Sequence, residues 1–251
     1  MIRHSPLLLL LTLPAAAASR LPDNLQYASL SVELPMTQKT VFLRAAETLL
    51  PRLAARTTDW AIVLDVDETV LNNYEYSARA AKAGSEDFDE KIWDAWVKER
   101  KATAIPGAKA FLDRVREAAK ARVMPRGRIV FITNRRLDQE ADTRANLAAL
   151  GLLKPEDALL TLAGKGDTKD VRRACVALGA SGKDARCPWA PAEIVALLGD
   201  SFRDFFELYG DDVYKLGRPK LEACVDAGGC YVVPNPLYGQ WQSDSGTPYA
   251  R

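Results

Sequence analysis

Ala61-Ile62-Val63-Leu64 is an unbroken apolar run that ends abruptly in Asp65-Val66-Asp67-Glu68-Thr69. Four apolar residues in succession lack the alternation of a half-exposed strand; they suit a strand covered on both faces, as in a helix-flanked parallel sheet. Three more runs share this character, at residues 128–133, 158–162 and 193–198, and a fifth, Cys230-Tyr231-Val232-Val233, reads as a last strand. Helical stretches at residues 108–121, 138–150 and 168–178 separate them, and a further helix over 37–55, with Thr37 as its N-cap, precedes the first strand. Strands and helices that alternate in this way predict an α/β fold built on a parallel sheet.

In such sheets the ligand site lies outside the carboxyl ends of the strands. Strand one delivers Asp65 and Asp67 there, strand two delivers Thr133-Asn134-Arg135, and strand four delivers Gly199-Asp200 with Asp204 just beyond. Carboxylates gathered at one sheet edge repel one another unless a cation sits among them, and magnesium is the obvious candidate.

Residues 70–104 form a detour too long for a simple loop, rich in aromatics (Tyr74, Tyr76, Phe88, Trp93, Trp96) and carrying an amphipathic helix over 89–101. They read as a small helical cap over the strand ends. Two uses of Trp93 and Trp96 stay open: packing the cap onto the core, or stacking on a substrate. No repeat, low-complexity tract or linker divides the chain, so residues 19–251 are expected to form one domain with this insertion.

Composition narrows the chemistry. The chain has 251 residues, 48% hydrophobic, with a formal net charge of +1, which argues for small-molecule partners and against a nucleic-acid groove or an anionic membrane surface. Arg3 and His4, the run Leu7 to Leu13, then Pro14 and Ala15 to Ala18 follow the order of a secretory signal, so residues 1–18 are expected to be removed and the protein secreted, in a bacterium into the periplasm. That run is too short to span a bilayer, and no cysteine lies near the cleavage point to carry a lipid, so no stable membrane anchor is expected. The four cysteines suit disulfides in an exported chain; short loops favour Cys175–Cys187 with Cys224–Cys230, and Gly228-Gly229 can bend the second loop. No pair has the close spacing of a zinc knuckle. His4 is the only histidine, so a mature chain would have none, which excludes Ser-His-Asp hydrolysis, phosphohistidine intermediates and histidine-ligated metals.

Four segments appear in order: Asp65-Val66-Asp67-Glu68-Thr69-Val70, Ile132-Thr133-Asn134-Arg135, Lys169 at a helix start, and Gly199-Asp200-Ser201-Phe202-Arg203-Asp204-Phe205. The set resembles the four motifs of the haloacid dehalogenase (HAD) superfamily of phosphotransferases. Leu64 to Asn73 with Tyr76, Phe88-Asp89-x-x-x-Trp93-x-x-Trp96, Ala104-Ile105-Pro106-Gly107-Ala108 and Pro234-Asn235-x-x-Tyr238-Gly239-x-Trp241 extend the likeness to bacterial secreted acid phosphatases of the class B and C type. The nearest group is that of the class C acid phosphatases, which include lipoprotein 5′-nucleotidases. Two departures stand out: no lipoprotein cysteine, and four cysteines outside the pattern.

The resemblance implies a HAD-type, Rossmann-like sheet and a magnesium-dependent acid phosphatase that hydrolyses phosphomonoesters, nucleoside monophosphates among them, through an aspartyl-phosphate. It implies Asp65 as nucleophile, Asp67 as general acid and then base, and Mg2+ held by Asp65, Asp200 and the Asp67 carbonyl, with Asp204 nearby orienting a water or the lysine. Thr133, Asn134 and Lys169 would hold phosphate; Lys165 is the rival lysine, and Arg135 either touches phosphate or pairs with a carboxylate. Tyr76 and Trp93 are the candidates to clamp a flat base. Asp67 must be protonated when substrate binds, which predicts an acidic pH optimum. Two other readings share the fold: a phosphotransferase that passes phosphate to an alcohol acceptor, and a binding or storage protein without turnover. The presence of Asp65, Asp67, Lys169 and Asp200 disfavours the second.

Overall fold

A computed structural model of the chain describes residues 21–85, 88–121, 126–209 and 213–239; the leader 1–18, with His4, and Trp241 lie outside the described residues. The chain opens with α1 (Asp23–Leu30) and α2 (Glu33–Ala54), then β1 (Trp60–Leu64) and β2 (Leu71–Asn72). Next come α3 (Tyr74–Lys82), α4 (Glu90–Glu99), β3 (Thr103–Ala104), α5 (Ala108–Lys120) and β4 (Gly127–Arg136). The remainder is α6 (Glu140–Ala149), β5 (Ala158–Leu162), α7 (Lys169–Leu178), β6 (Glu193–Gly199), α8 (Arg218–Asp226) and β7 (Cys230–Val232).

Five strands form one sheet in the order β5-β4-β1-β6-β7, every pair parallel. This is the expected α/β architecture, and burial on β1 explains the sequence pattern that announced it. Trp60, Ile62 and Leu64 enter a large core with Phe42, Leu49 and Leu53 of α2 and Phe111, Leu112 and Val115 of α5. Ala61 and Val63 point the other way, onto Val130, Ile132 and Leu160 and onto Cys175 and Val176 of α7. Both faces are apolar because helices cover both. Full burial of each large side chain contributes about 1.5–3 kcal/mol over exposure, so a polar residue at either register would weaken a whole layer.

Some elements differ from the sequence expectation. The second helix starts at Glu33, four residues before the expected cap; Thr37 lies inside it, where its hydroxyl donates to the Glu33 carbonyl. A threonine satisfied in this way by the preceding turn does not stop a helix. Helix α8 buries none of its side chains and so offers no apolar stripe to read. Strand β4 runs to Arg136, three residues past Thr133, and carries backbone order through the site.

The cap leaves and returns through a narrow neck. β2 and β3 pair antiparallel, Leu71 opposite Ala104 and Asn72 opposite Thr103, with α3 and α4 between them. Asp89 caps α4 by accepting from the backbone N–H groups of Lys91 and Ile92, which fixes the start of the helix that bears both cap tryptophans.

The cysteines pair Cys175–Cys187 and Cys224–Cys230. The first ties α7 to the loop before β6, the second ties α8 to β7. A cross-link stabilises by restricting the unfolded chain, more so for a longer loop. With separations of 12 and 6 residues, removal of Cys175–Cys187 by paired alanines is expected to cost about 3 kcal/mol and removal of Cys224–Cys230 about 2 kcal/mol, read by urea titration.

Candidate active site

The sheet order places β1 between β4 and β6, whose connections leave toward opposite edges, so the carboxyl end of β1 is a topological switch point. Asp65 continues the strand for one residue, its N–H donating to the Leu198 carbonyl at 2.9 Å. The chain then folds back tightly: Val70 and Leu71 both donate to the Val66 carbonyl, and Glu68 N–H donates to Leu71 O at 2.7 Å. Glu68 pays for this turn with φ of 55°, a left-handed conformation costly for a residue with a Cβ. Its buried carboxyl accepts the Asn73 N–H at 2.8 Å and pins the far side of the turn.

Asp65 sits in a cationic and anionic cluster. Lys169, at the first position of α7, donates to Asp65 Oδ1 and to Asp204 Oδ1, each at 2.5 Å, with all three side chains buried. Burial works against the charged lysine, yet Asp204 and Asp65 outweigh it and raise its pKa, so the ammonium persists. Asp204 is held on its other oxygen by Ser201 N–H at 2.8 Å. A methyl group at Gly199 would overlap the Asp204 side chain, so only glycine lets this carboxylate approach the end of β6. Asp200 accepts from the Thr69 hydroxyl at 3.1 Å and from Asn235 Nδ2 at 2.9 Å.

Asp67 faces a different set of partners. Arg135 Nη2 donates to its Oδ1 at 2.7 Å and Nε lies 3.0 and 3.2 Å from its two oxygens. Asn73 Nδ2 adds a bond to Oδ1 at 2.9 Å, and the Thr133 hydroxyl one to Oδ2 at 3.3 Å. Arg135 therefore pairs with a carboxylate, one of the two uses the sequence left open. Of the two lysines, Lys169 lies against Asp65, whereas Lys165 is exposed in the turn before α7. Asn134 is exposed, and its side-chain oxygen accepts from Arg172 Nη2 at 2.8 Å.

Tyr76 and Trp93 are brought together, but as a packed pair. Their rings meet edge to face with centroids 5.0 Å apart, leaving no slot between them for a flat base. Arg135 covers the Trp93 ring at 5.1 Å, and the aromatic of this cluster turned to solvent is Phe88, 65% exposed.

Several contributors escaped the sequence reading. Arg172, fully buried, donates to the Thr133 carbonyl and to Asn134, and Arg173 donates to the Asp204 carbonyl at 2.8 Å. Their signal was available: three and four residues beyond Lys169 on a helix, they share its face. Thr69 and Asn235 gave no such sign, because polar residues in turns are common.

Asp65, Asp200 and Asp204 offer oxygens within 4.8 Å of one another. Desolvation, Asp204 and Asp67, against Lys169, push Asp65 up to about 7 from an ordinary 3.8. Desolvation, with Asp204 and Asp65 close by, also pushes Asp200 well above the ordinary carboxylate range. Desolvated carboxylates crowded around a single ammonium are short of positive charge, and a hard divalent cation bound through oxygen ligands would supply it. Asp204 accepts from Lys169 on one oxygen and from Ser201 N–H on the other, and Asp200 likewise accepts once on each oxygen, so every carboxylate of the trio keeps lone pairs that a cation could use. The Asp67 side chain lies outside the trio; the sequence expectation gave that residue only its backbone carbonyl.

The family model for HAD superfamily, subfamily IIIB (acid phosphatase) matches residues 9–241, and the chain belongs to that family of phosphomonoester hydrolases. The class C acid phosphatase of Bacillus anthracis superposes with a TM-score of 0.69 at 27% identity, covering 88% of this chain and 85% of that one. A structure of the class C acid phosphatase of Bacillus anthracis with tungstate bound superposes equally well, with a TM-score of 0.69 at 26% identity and the same 88% and 85% coverage. The stem 31 kDa glycoprotein of Glycine max is 31% identical over 98 residues, 39% of this chain and about a third (35%) of the soybean protein's length.

The raised Asp65 pKa has a stability consequence. An acid titrating near 7 when folded and near 3.8 when unfolded binds an extra proton in the folded state between those values, so stability falls as pH rises across that window. Chelator-treated protein is expected to melt progressively lower from about pH 4 to about pH 7, less steeply in Asp65→Asn. A divalent cation competes with that proton, so its addition should raise the melting temperature more at about pH 7 than at about pH 5.

Proposed function

We propose that this chain is a magnesium-dependent acid phosphatase that hydrolyses phosphomonoesters, nucleoside monophosphates among them, through an aspartyl-phosphate on Asp65. The observation that carries this reading is the split between two aspartates of one turn: Asp65 beside Lys169, Asp204 and Asp200, and Asp67 beside Arg135, Asn73 and Thr133. Two carboxylates in unlike surroundings can take unlike roles.

In the first step an Asp65 oxygen bonds to phosphorus, the ester P–O bond breaks with its electron pair going to the leaving oxygen, and that oxygen takes a proton from Asp67. In the second step a water oxygen attacks phosphorus, Asp67 accepts the water proton, and the Asp65–phosphorus bond breaks to release phosphate and regenerate the carboxylate. No histidine is needed, because a carboxylate is a nucleophile without a base. Lys169 balances charge on the phosphoryl group, and Thr133 and the Asn134 backbone N–H are the groups proposed to receive phosphate oxygens, this end of β4 being held by Arg172. Asp65, Asp200 and the Asp67 carbonyl are the ligands proposed for Mg2+, which would supply electrostatic relief between anionic nucleophile and anionic ester. Tungstate, bound in the Bacillus anthracis structure, is a tetrahedral oxyanion like phosphate and supports an oxyanion site on this fold.

Phe88, backed by Tyr76 and Trp93, is the surface proposed for a nucleobase. The signal-like leader and the two disulfides support export to the periplasm.

Asp65→Asn keeps shape and removes the nucleophile, and a loss of at least about a thousandfold in phosphomonoester hydrolysis is expected. Near-normal turnover in that variant would sink the reading. A panel of nucleoside 5′- and 3′-monophosphates against simple phosphomonoesters tests the finer claim, which a flat profile would refute.

A further inference from the structure

We propose that Asn73 and Trp96 are positioning residues for proton transfer by Asp67, so that the cap enters the chemistry through a hydrogen-bond chain. The proposal rests on the preceding reading of Asp67 as acid and base.

Asn73 is 1% exposed and stands where β2 passes into α3, and each polar atom of its side chain is committed. Nδ2 donates to Asp67 Oδ1 at 2.9 Å; Oδ1 accepts from Trp96 Nε1 at 2.8 Å and from Arg135 Nη2 at 3.2 Å. An indole has a single donor and no acceptor, so Trp96 dictates which end of the amide faces it. With the carbonyl turned to Trp96 and Arg135, the amide nitrogen must face Asp67. Reversing the amide would set a carbonyl against a carboxylate and an NH2 against two donors.

Trp96 can impose this because it is buried and packed in place. It is 2% exposed on α4, with Arg79 stacked 5.1 Å from its ring, and Arg79 is itself bound to Glu75 of α3 and Glu99 of α4. One turn earlier on α4, Trp93 backs the Arg135 guanidinium. The two tryptophans thus lie behind the two residues that hold Asp67 from the cap side.

The consequence falls on one oxygen. Oδ1 of Asp67 takes Arg135 Nη2 at 2.7 Å, Asn73 Nδ2 at 2.9 Å and Arg135 Nε at 3.0 Å, whereas Oδ2 has only contacts of 3.2 Å (Arg135 Nε) and 3.3 Å (Thr133). Oδ1 is saturated and Oδ2 is the oxygen able to carry a proton. In the first step that proton leaves Oδ2 for the ester oxygen as the P–O bond breaks; in the second Oδ2 takes one from water. A carboxylate free to rotate would present the wrong oxygen for part of the time.

The test compares kcat/KM for 4-nitrophenyl phosphate, whose nitrophenolate departs without a proton, with that for glycerol 2-phosphate, whose alkoxide requires one. Trp96→Phe keeps an aromatic ring, though a smaller one, and removes the N–H; Asn73→Ala removes the link itself. Both are expected to lower kcat/KM for the aliphatic ester about tenfold more than for the aryl ester, a loss within what misplacement of a reacting group costs. Asp67→Asn should show a larger loss of the same kind, and Trp96→Phe added to it should bring no further discrimination. Equal losses on both esters, or none, in a Trp96→Phe protein that melts like the parent overturn the proposal even if Asn73→Ala fails to fold. So does an additive effect in the double variant. If Asp67→Asn discriminates while Trp96→Phe does not, the acid role stands and the positioning role falls; if Asp67→Asn does not discriminate, both fall.

Discussion

The ammonium of Lys169, shared between Asp65 and Asp204, is the contact on which the rest of this site depends. Three charges removed from water are costly unless each finds a partner at close range. Here the partners come from the end of β1, the turn after β6 and the start of α7. The same helix sends Arg172 to the carbonyl of Thr133, where the continuously buried part of β4 ends, and Arg173 to the carbonyl of Asp204. One helix thereby sets the relative height of three strand ends, and it is itself fixed by the Thr168 N-cap and by the Cys175–Cys187 bond. Shifting α7 along its axis by a fraction of a turn would break all of these links together.

That rigidity lets two chemically identical side chains differ. Asp65 and Asp67 are separated by one residue, and a strand would place them on the same face. The turn prevents this. Its left-handed Glu68, clamped by Leu71 and Asn73, directs Asp67 toward β4 and the cap while Asp65 stays beside β6 and α7. The conformational cost at Glu68 is offset by contacts that exist only in this arrangement.

Much of this was legible in the sequence, for reasons that differ by level. The sheet was readable because strands covered on both faces must be continuously apolar, as Trp60 to Leu64 is. The edge where Asp65, Thr133 and Asp200 converge followed from topology alone. The helix start at Thr37 was misplaced because a local capping signal cannot report that the previous turn also has helix-compatible packing, here through Leu34, buried against α1 and α3. Arg135 looked equally suited to phosphate and carboxylate; only its fold-imposed distance to Asp67 separates the two. Asn73 and Trp96 were visible as residues but not as a pair, since their contact spans 23 positions and crosses the cap. The disulfide pairing could be guessed because both loops are short.

The neck formed by β2 and β3 separates the cap from the core in one sense and binds them in another. Because the insertion departs at Leu71 and returns at Ala104, opposite each other in a two-residue ladder, its length can change without disturbing the register of β1 or the start of α5. Such an insertion is free to diversify. Yet α4 carries Trp93 and Trp96, whose partners Arg135 and Asn73 grip Asp67. A lineage that remodels this helix to suit a new substrate would have to keep those two rings in place, so the cap can evolve at its solvent face, around Phe88, far more easily than at the face it turns to the sheet.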